Sequence, residues 1–408
     1  MRPFPKLTIT KKGTDFLRGG HVWVYADEII KAEGEPCDGE LADVYSENGK
    51  YLGTGFFNSH SKIRVRIVSK NANDRFDTAF WERKLRWAIH YRLSVMGETD
   101  FSCCRLIFGE ADAFPGLTVD RFGEVLVTQV LSLGIEKIKA TLYDLLIRLL
   151  REEFGQAITV LYERNDQAIR RLEGMEEACG FYRGDGLRTE SDGITEICEN
   201  GVLYEVDYIN GQKTGFFLDQ KYNRRAIRTL AKGKRVLDCF THTGSFALNA
   251  AQAGAHHVTA VDISADALAV AKRNAVRNGL DGGMDFICAD VFDYLSKLGK
   301  EIPFDYDFVI LDPPAFTKSR DTLRNAIKGY REINRRAMQL LPRGAYLATC
   351  SCSHFMTETY FKQMIHNAAE DAGVSLRQIE ARQQSPDHPI LWNVPETDYL
   401  KFFVFQIV

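Results

Sequence analysis

Two short runs in the last quarter of the chain carry side chains able to make and break covalent bonds. Thr349-Cys350-Ser351-Cys352-Ser353 sets two thiols two residues apart, and Leu311-Asp312-Pro313-Pro314-Ala315-Phe316 sets a carboxylate before a double proline. A thiolate is a strong nucleophile once its surroundings depress its pKa, so sulfur opposite a carboxylate points to covalent catalysis. The bland alternative for either thiol is a buried, inert cysteine. Two prolines directly after an apolar run stop a strand and stiffen the backbone, which leaves Asp312 to face a reaction centre. Upstream, Asp238-Cys239-Phe240-Thr241-His242-Thr243-Gly244-Ser245-Phe246 reads as a tight turn with one glycine, and Asp262 and Asp290 each close an apolar run.

These residues share a location only if regular elements bring them together. From 191 to 408 the runs RVLDCF, HVTAVD, MDFICAD, DFVILD and AYLATC alternate with helical stretches. Continuous apolar strands alternating with helices predict an α/β, doubly wound parallel sheet covered on both faces. Such a sheet binds ligands beyond the carboxyl ends of its strands, near the switch point. Asp238, Asp262, Asp290 and Asp312 all fall at those ends and make up the expected cofactor site. Asp262 is placed for ribose hydroxyls and Asp290 for an adenine amino group. The alternative for each acid is a helix N-cap. The turn after Asp238 lacks GxGxxG, which disfavours a dinucleotide pyrophosphate. The ligand implied is a nucleoside without phosphates, and S-adenosylmethionine (SAM) fits best. SLRQIEA and YLKFFVFQIV, with no helix between them, predict an antiparallel hairpin at one edge of the sheet.

The rest of the chain divides in two. Residues 1–72 read as short strands between Gly, Asn and Asp breakers, with Asn48-Gly49 as a hairpin turn, and predict a small β-barrel. Residues 73–190 mix amphipathic helices with strands and predict a small α+β domain. Nine bases between Lys62 and Arg92 face three acids, and seven between Lys221 and Arg235 face none, on a chain of 408 residues with net charge −3. Local basic runs on a near-neutral protein can steer a polyanion; the plain alternative is solvated helix faces. Nine scattered cysteines without paired CxxC motifs exclude a zinc site and a disulfide framework, and no apolar run approaches the ~20 residues of a membrane span. The N-terminus has no secretory-signal pattern, so a cytoplasmic protein with free thiols is expected.

From the N-terminal barrel through TGFFLDQ (Thr214 to Gln220), DCFTHTGSFAL, VDIS, DPPAF and TCSCSHF, the whole length resembles the SAM-dependent 23S ribosomal RNA (cytosine-5)-methyltransferase I family. The resemblance implies an N-terminal PUA domain, a small central domain and a Rossmann-like methyltransferase domain. It implies that Phe240, Thr243 and Gly244 lie against SAM, that Asp262 holds its ribose and Asp290 its adenine. DPPxF is similar to the loop of methyltransferases acting on nucleobases, so Pro313, Pro314 and Phe316 are expected at the substrate, with Phe316 stacking on the base. The resemblance places the nucleophile at Cys352, while Cys350 adds a second thiol where many relatives have another residue.

The mechanism expected is attack of Cys352 on carbon-6 of cytosine, with Asp312 stabilising charge and proton at the ring nitrogen. Methylation of carbon-5 and loss of its proton to Asp312, Cys350 or a water would follow. Ribosomal RNA is the expected partner, as is a second copy of the chain in a homodimer; no metal is required. Competing expectations are methylation of an exocyclic amine of a nucleobase, for which a double-proline loop needs no cysteine, and a noncatalytic RNA-binding protein. A NAD(P)-dependent oxidoreductase ranks below both.

Overall fold

The run LADVYSENGKYLGTGFF folds as the hairpin that Asn48-Gly49 predicts: Leu41–Ser46 pairs antiparallel with Tyr51–Phe57, and Gly49 takes φ +70°, a left-handed value glycine adopts without strain. This computed structural model describes residues 2–299, 305–317, 319 and 321–408. The hairpin is central to a six-stranded sheet ordered Trp23–Tyr25, Ile63–Ser69, Tyr51–Phe57, Leu41–Ser46, Lys6–Ile9, Ile29–Glu33. The two edge strands are separated in sequence only by Ala26–Glu28, so the sheet rolls round to bring its edges near each other. A helix that the strand pattern did not announce, Lys11–Arg18, starts at Thr10, whose hydroxyl accepts from the Gly13 amide at 3.1 Å. A second sheet runs Ala178–Phe181, Val160–Asn165, Val125–Val130, Leu117–Phe122, Cys103–Phe108. Its core joins Leu126 and Leu161 to Leu85 and Ile89 of the helix Thr78–Met96 and Leu146 of the helix Leu133–Arg148.

These sheets belong to one compact unit (Met1–Ile197, Val206–Leu218, Pro386–Thr397), and a second unit holds Cys198–Glu205, Asp219–Ser385 and Asp398–Val408. The second contains a seven-stranded sheet: β1 (Arg235–Cys239), β2 (His257–Asp262), β3 (Met284–Cys288), β4 (Phe308–Leu311), β5 (Tyr346–Ser351), β6 (Leu376–Arg382) and β7 (Lys401–Ile407). The order is β3-β2-β1-β4-β5-β7-β6, with the first five strands parallel. Leu237, Val309 and Leu347 of the strands pack with Ile333 and Phe361 of the helices Leu323–Leu340 and Glu358–Ala372.

The last two strands are antiparallel as expected, but only β6 lies at the edge; β7 is inserted between β5 and β6. The side chains explain the order. KFFVFQI is apolar on both faces and needs cover on both, whereas LRQIEAR alternates and keeps charge on an exposed edge, which discourages pairing with other chains.

Part of each basic run is taken up by ion pairs and burial, while Lys62, Lys70, Arg75, Arg225 and Lys232 stay exposed. Arg66 pairs with Glu110 and Glu173, Arg83 with Asp74, Arg86 with Glu82 and Glu153, and buried Arg92 with Asp112. In the second run Lys221 and Arg224 are buried, and Arg235 pairs with Asp305. Most of these acids come from outside each run, which is why a local charge count overstated the surface charge. Arg224 is the strongest case: its guanidinium grips buried Glu199 through two bonds of 2.6 and 2.8 Å. Arg224→Met leaves that carboxylate buried and unpaired, and is expected to lower the unfolding free energy by about 3–5 kcal/mol. A urea titration reads the loss; a change under about 1 kcal/mol would mean that water reaches Glu199. Among the described residues, no helix is long and apolar enough to cross a membrane.

Candidate active site

Parallel register levels the strand ends. Asp238 pairs with Ala260 and Ile310, Asp262 with Cys288, and Leu311 with Thr349, so the acids leave one edge of the sheet together. Asp238 is fully buried and braces the turn after it. Its Oδ2 accepts from Thr241 Oγ1 at 2.5 Å and from the Ala247 amide at 2.9 Å. Burial, with the Asp312 and Asp262 charges adding to it, pushes its carboxyl up to about 7. In the same turn Phe240 (φ +64°), His242 (+51°) and Gly244 (+84°) are all left-handed. Two non-glycine residues held there store about 1–3 kcal/mol each, a cost found where backbone must approach a ligand. A Cβ on Gly244 would also meet the Ala271 Cβ at 3.0 Å.

Asp262 accepts from the His242 amide at 2.8 Å through Oδ2 and from the Ser264 amide at 2.9 Å through Oδ1. Two carboxylate oxygens offer about four lone-pair sites, so capacity remains for ribose hydroxyls. Asp290 caps the helix Val291–Leu298, accepting at Oδ1 from the Phe292 (2.8 Å) and Asp293 (3.2 Å) amides, so the N-cap alternative is realised for that oxygen. Thr243 is half-buried beside Gly244. The arrangement fits a nucleoside. Oδ1 of Asp238 is buried without a hydrogen-bond partner, and Ile263, next to Asp262, is 70% exposed. A donor for the first and a flat apolar ring over the second are what a ribosylated purine brings. Ile263 escaped sequence reasoning, though an apolar residue just past a strand-end acid is a readable signal.

At the end of β4, Asp312 Oδ1 accepts from Gln220 Nε2 at 3.0 Å, and Gln220 Oε1 accepts from Asn223 Nδ2 at 2.6 Å. The Cys350 thiol adjoins the set and interacts with Asp312 and Gln220. Burial, reinforced by the Asp219 carboxylate, pushes Asp312 up to about 6. Burial and the charge of Asp312 push the Cys350 thiol well above its ordinary value. Pro313 is buried and Pro314 exposed. The Phe316 ring sits 4.6 Å from Tyr330 and 6.4 Å from Phe240, centroid to centroid, within an aromatic cluster.

The two late cysteines are not equivalent. Cys350 lies inside β5 with no solvent exposure, whereas Cys352 lies one residue past the strand and is half-buried. The rule that residues two apart share a face therefore stops short of Cys352. Next to it, Ser351 Oγ donates to Tyr330 at 3.1 Å, Ser353 Oγ donates to the Thr317 carbonyl at 3.0 Å, and Lys401 Nζ donates to the Ser353 carbonyl at 2.6 Å. Gln220, Asn223, Tyr330 and Lys401 were not singled out from sequence; Gln220 alone had a signal, as the last residue of TGFFLDQ. Among the described residues, no group of three or more His, Cys, Asp or Glu side chains is set to hold a metal ion.

Known proteins resemble this chain in sequence and fold. Residues 149–405 match the family described as S-adenosylmethionine-dependent methyltransferase, and residues 7–70 match the PUA-like domain. The chain is 37% identical over 406 residues to the ribosomal RNA large subunit methyltransferase I of Klebsiella pneumoniae (strain 342), covering 99% of each. It is 39% identical over 392 residues to the protein of that name from Pseudoalteromonas translucida (strain TAC 125), covering 96% of each. A solved structure from Streptococcus mutans, described as a SAM-dependent methyltransferase, superposes with TM-score 0.80 at 22% identity, covering 98% of this chain and 99% of that one. A second solved methyltransferase with the same values is complexed with SAH.

Proposed function

The chain belongs to the ribosomal RNA large subunit methyltransferase I family, a PUA-like domain joined to a SAM-dependent methyltransferase domain, and on that premise we propose that it methylates carbon-5 of a cytosine in large-subunit (23S) ribosomal RNA with Cys352 as nucleophile. The observation that carries this reading is the contrast between the two thiols. Cys350 is enclosed and held protonated against Asp312, while Cys352 stands at the strand exit with part of its surface open. A sulfur that must bond to a bulky ring needs the second setting.

Bound SAM supplies an electrophilic methyl group. Asp262 and the left-handed turn from Phe240 to Gly244 hold the nucleoside part, with Asp290 and Ile263 at the purine. Carbon-5 of cytosine is a poor nucleophile until electrons enter the ring. The Cys352 thiolate forms a bond to carbon-6 and Asp312 gives its proton to N3, which leaves an enamine with nucleophilic carbon-5. An acid raised to about 6 is suited to that donation, and Gln220 fixes its orientation. Once carbon-5 carries the methyl group, a base takes the carbon-5 proton, the C5–C6 double bond re-forms, Asp312 recovers its proton and the bond to Cys352 breaks. The target base must leave its stack to reach the crevice, which favours a single-stranded or extruded nucleotide.

Residues 1–72 and 73–190 are read as the parts that hold RNA. On the helix Thr78–Met96, exposed Trp87 lies beneath Arg83 and Lys84 at 5.6 and 5.9 Å, a cation–aromatic surface of the kind that stacks bases. A ribosomal RNA substrate is in keeping with a cytoplasmic location.

Asp262→Ala removes a charged acceptor, and SAM affinity is expected to fall about 10- to 100-fold, equivalent to about 1.5–3 kcal/mol. Calorimetry measures it, and an unchanged Kd would take Asp262 out of the ribose site. The reaction itself is tested by mass mapping 5-methylcytosine in ribosomal RNA from cells lacking the protein. Loss of one 5-methylcytosine from large-subunit RNA is the expected result. Loss of a methylated exocyclic amine instead would overturn the carbon-5 assignment.

A further inference from the structure

A buried lysine stands beside the proposed nucleophile. Lys401 opens β7, and register pairs it with Ser351, the residue before Cys352. The residue is 5% exposed, and Nζ donates to two main-chain carbonyls, those of Ser353 at 2.6 Å and Tyr399 at 2.8 Å. Among the described residues no carboxylate lies within ion-pair distance of it. Burying an ammonium with only neutral acceptors costs several kcal/mol by order of magnitude, so packing alone is a poor reason for lysine at this position. The strand is otherwise FFVFQI, into which an apolar residue would fit without that cost.

We propose that Lys401 is a positioning residue for methyl transfer: its ammonium holds the turn that carries Cys352 and stabilises the Cys352 sulfur as a thiolate. This rests on Cys352 being the nucleophile. The Lys401 ammonium and the Cys352 sulfur interact electrostatically, as do Lys401 and the carboxylates of Asp398 and Glu358. From the other elements packed here, Tyr330 of the helix Leu323–Leu340 and Cys350 of β5 also interact with Cys352; both are held protonated by burial. Asp312 acts on Cys350 and Tyr330, and His354 faces Asp398. Lys401 therefore brings a positive charge to this sulfur from among the described residues, against acids at Asp398 and Glu358. Burial lowers its pKa to about 8, so it is charged at neutral pH and loses its charge, with the support it lends a thiolate, as pH rises past that value.

The test is the pH dependence of iodoacetamide alkylation, followed residue by residue through peptide mass spectrometry on the full chain. In the unaltered protein Cys352 should reach half-maximal rate about one pH unit below Cys37, an exposed cysteine that serves as internal reference. Lys401→Met should raise the Cys352 midpoint by about one unit or more, slowing its alkylation at pH 7 about tenfold, and leave Cys37 unchanged. Lys401→Arg keeps the charge and should restore the lower midpoint. A Cys352 midpoint at or above that of Cys37 in the unaltered protein overturns the proposal, without needing either variant to fold. Equal midpoints for the Met and Arg variants do so too, since a structural role depends on shape and not charge. Methylation by Cys352→Ala at the normal rate would instead remove the nucleophile assignment, whatever the alkylation profile.

Discussion

Cys352→Ala is expected to bind SAM as the unaltered protein does and to form 5-methylcytosine about 10⁴-fold more slowly or not at all, the scale on which losing a covalent nucleophile is felt. Cys350→Ala should behave differently. It removes one neutral polar neighbour of Asp312 from a buried set in which Gln220 still holds that carboxyl, a loss of about 1 kcal/mol and so less than tenfold in rate. The contrast arises from placement: one thiol is enclosed in a strand and kept protonated, the other stands beyond the strand end. Measurement of methyl incorporation into ribosomal RNA with both variants separates them. Activity retained without Cys352 and lost without Cys350 would exchange their roles.

Asp312→Asn is expected to lower kcat/KM about 10²- to 10⁴-fold, the usual worth of a positioned acid. The pH profile carries more information than the rate. If the reaction needs protonated Asp312 together with thiolate Cys352, log kcat/KM rises with unit slope at low pH, because the thiolate fraction grows while Asp312 keeps its proton. It levels near 6, where Asp312 begins to ionise, and falls once the thiol is fully ionised. In Asp312→Asn the levelling near 6 and the fall at high pH should both vanish, leaving a single rise to the pKa of Cys352. A base role for ionised Asp312 predicts a different curve, steeper than unit slope below 6 and without the alkaline fall. A profile of that shape in the unaltered protein would rule out proton donation to N3.

Local pattern was enough to find the acids at the strand ends, because a buried strand is a continuous apolar run and the residue at its carboxyl end must lie at the sheet's ligand-binding edge. It was enough, too, for the antiparallel relation of the last two strands. Their order was not read, although KFFVFQI with both faces apolar and LRQIEAR with alternating charge contain it. Pairing across long separations is beyond the reach of any local pattern. Gln220 meets Asp312 across 92 positions, and Ser353 receives Lys401 across 48. The same limit explains the basic runs, whose neutralising acids include Glu110, Glu153, Glu173 and Asp305 far along the chain. Asp290 shows a further limit, since an acid after a strand serves a helix cap and a ligand with the same carboxylate, and spacing does not separate the two.

The most direct test of the covalent route uses large-subunit ribosomal RNA transcribed with 5-fluorocytidine, in which carbon-5 has no proton to lose and the bond to sulfur cannot break. With SAM present, the unaltered protein and Cys350→Ala should each yield an adduct that survives denaturing electrophoresis, and digestion should find RNA attached at Cys352. Cys352→Ala should yield none. Efficient methylation of ordinary RNA with no adduct to the fluorinated RNA, or an adduct located at Cys350, would contradict the account.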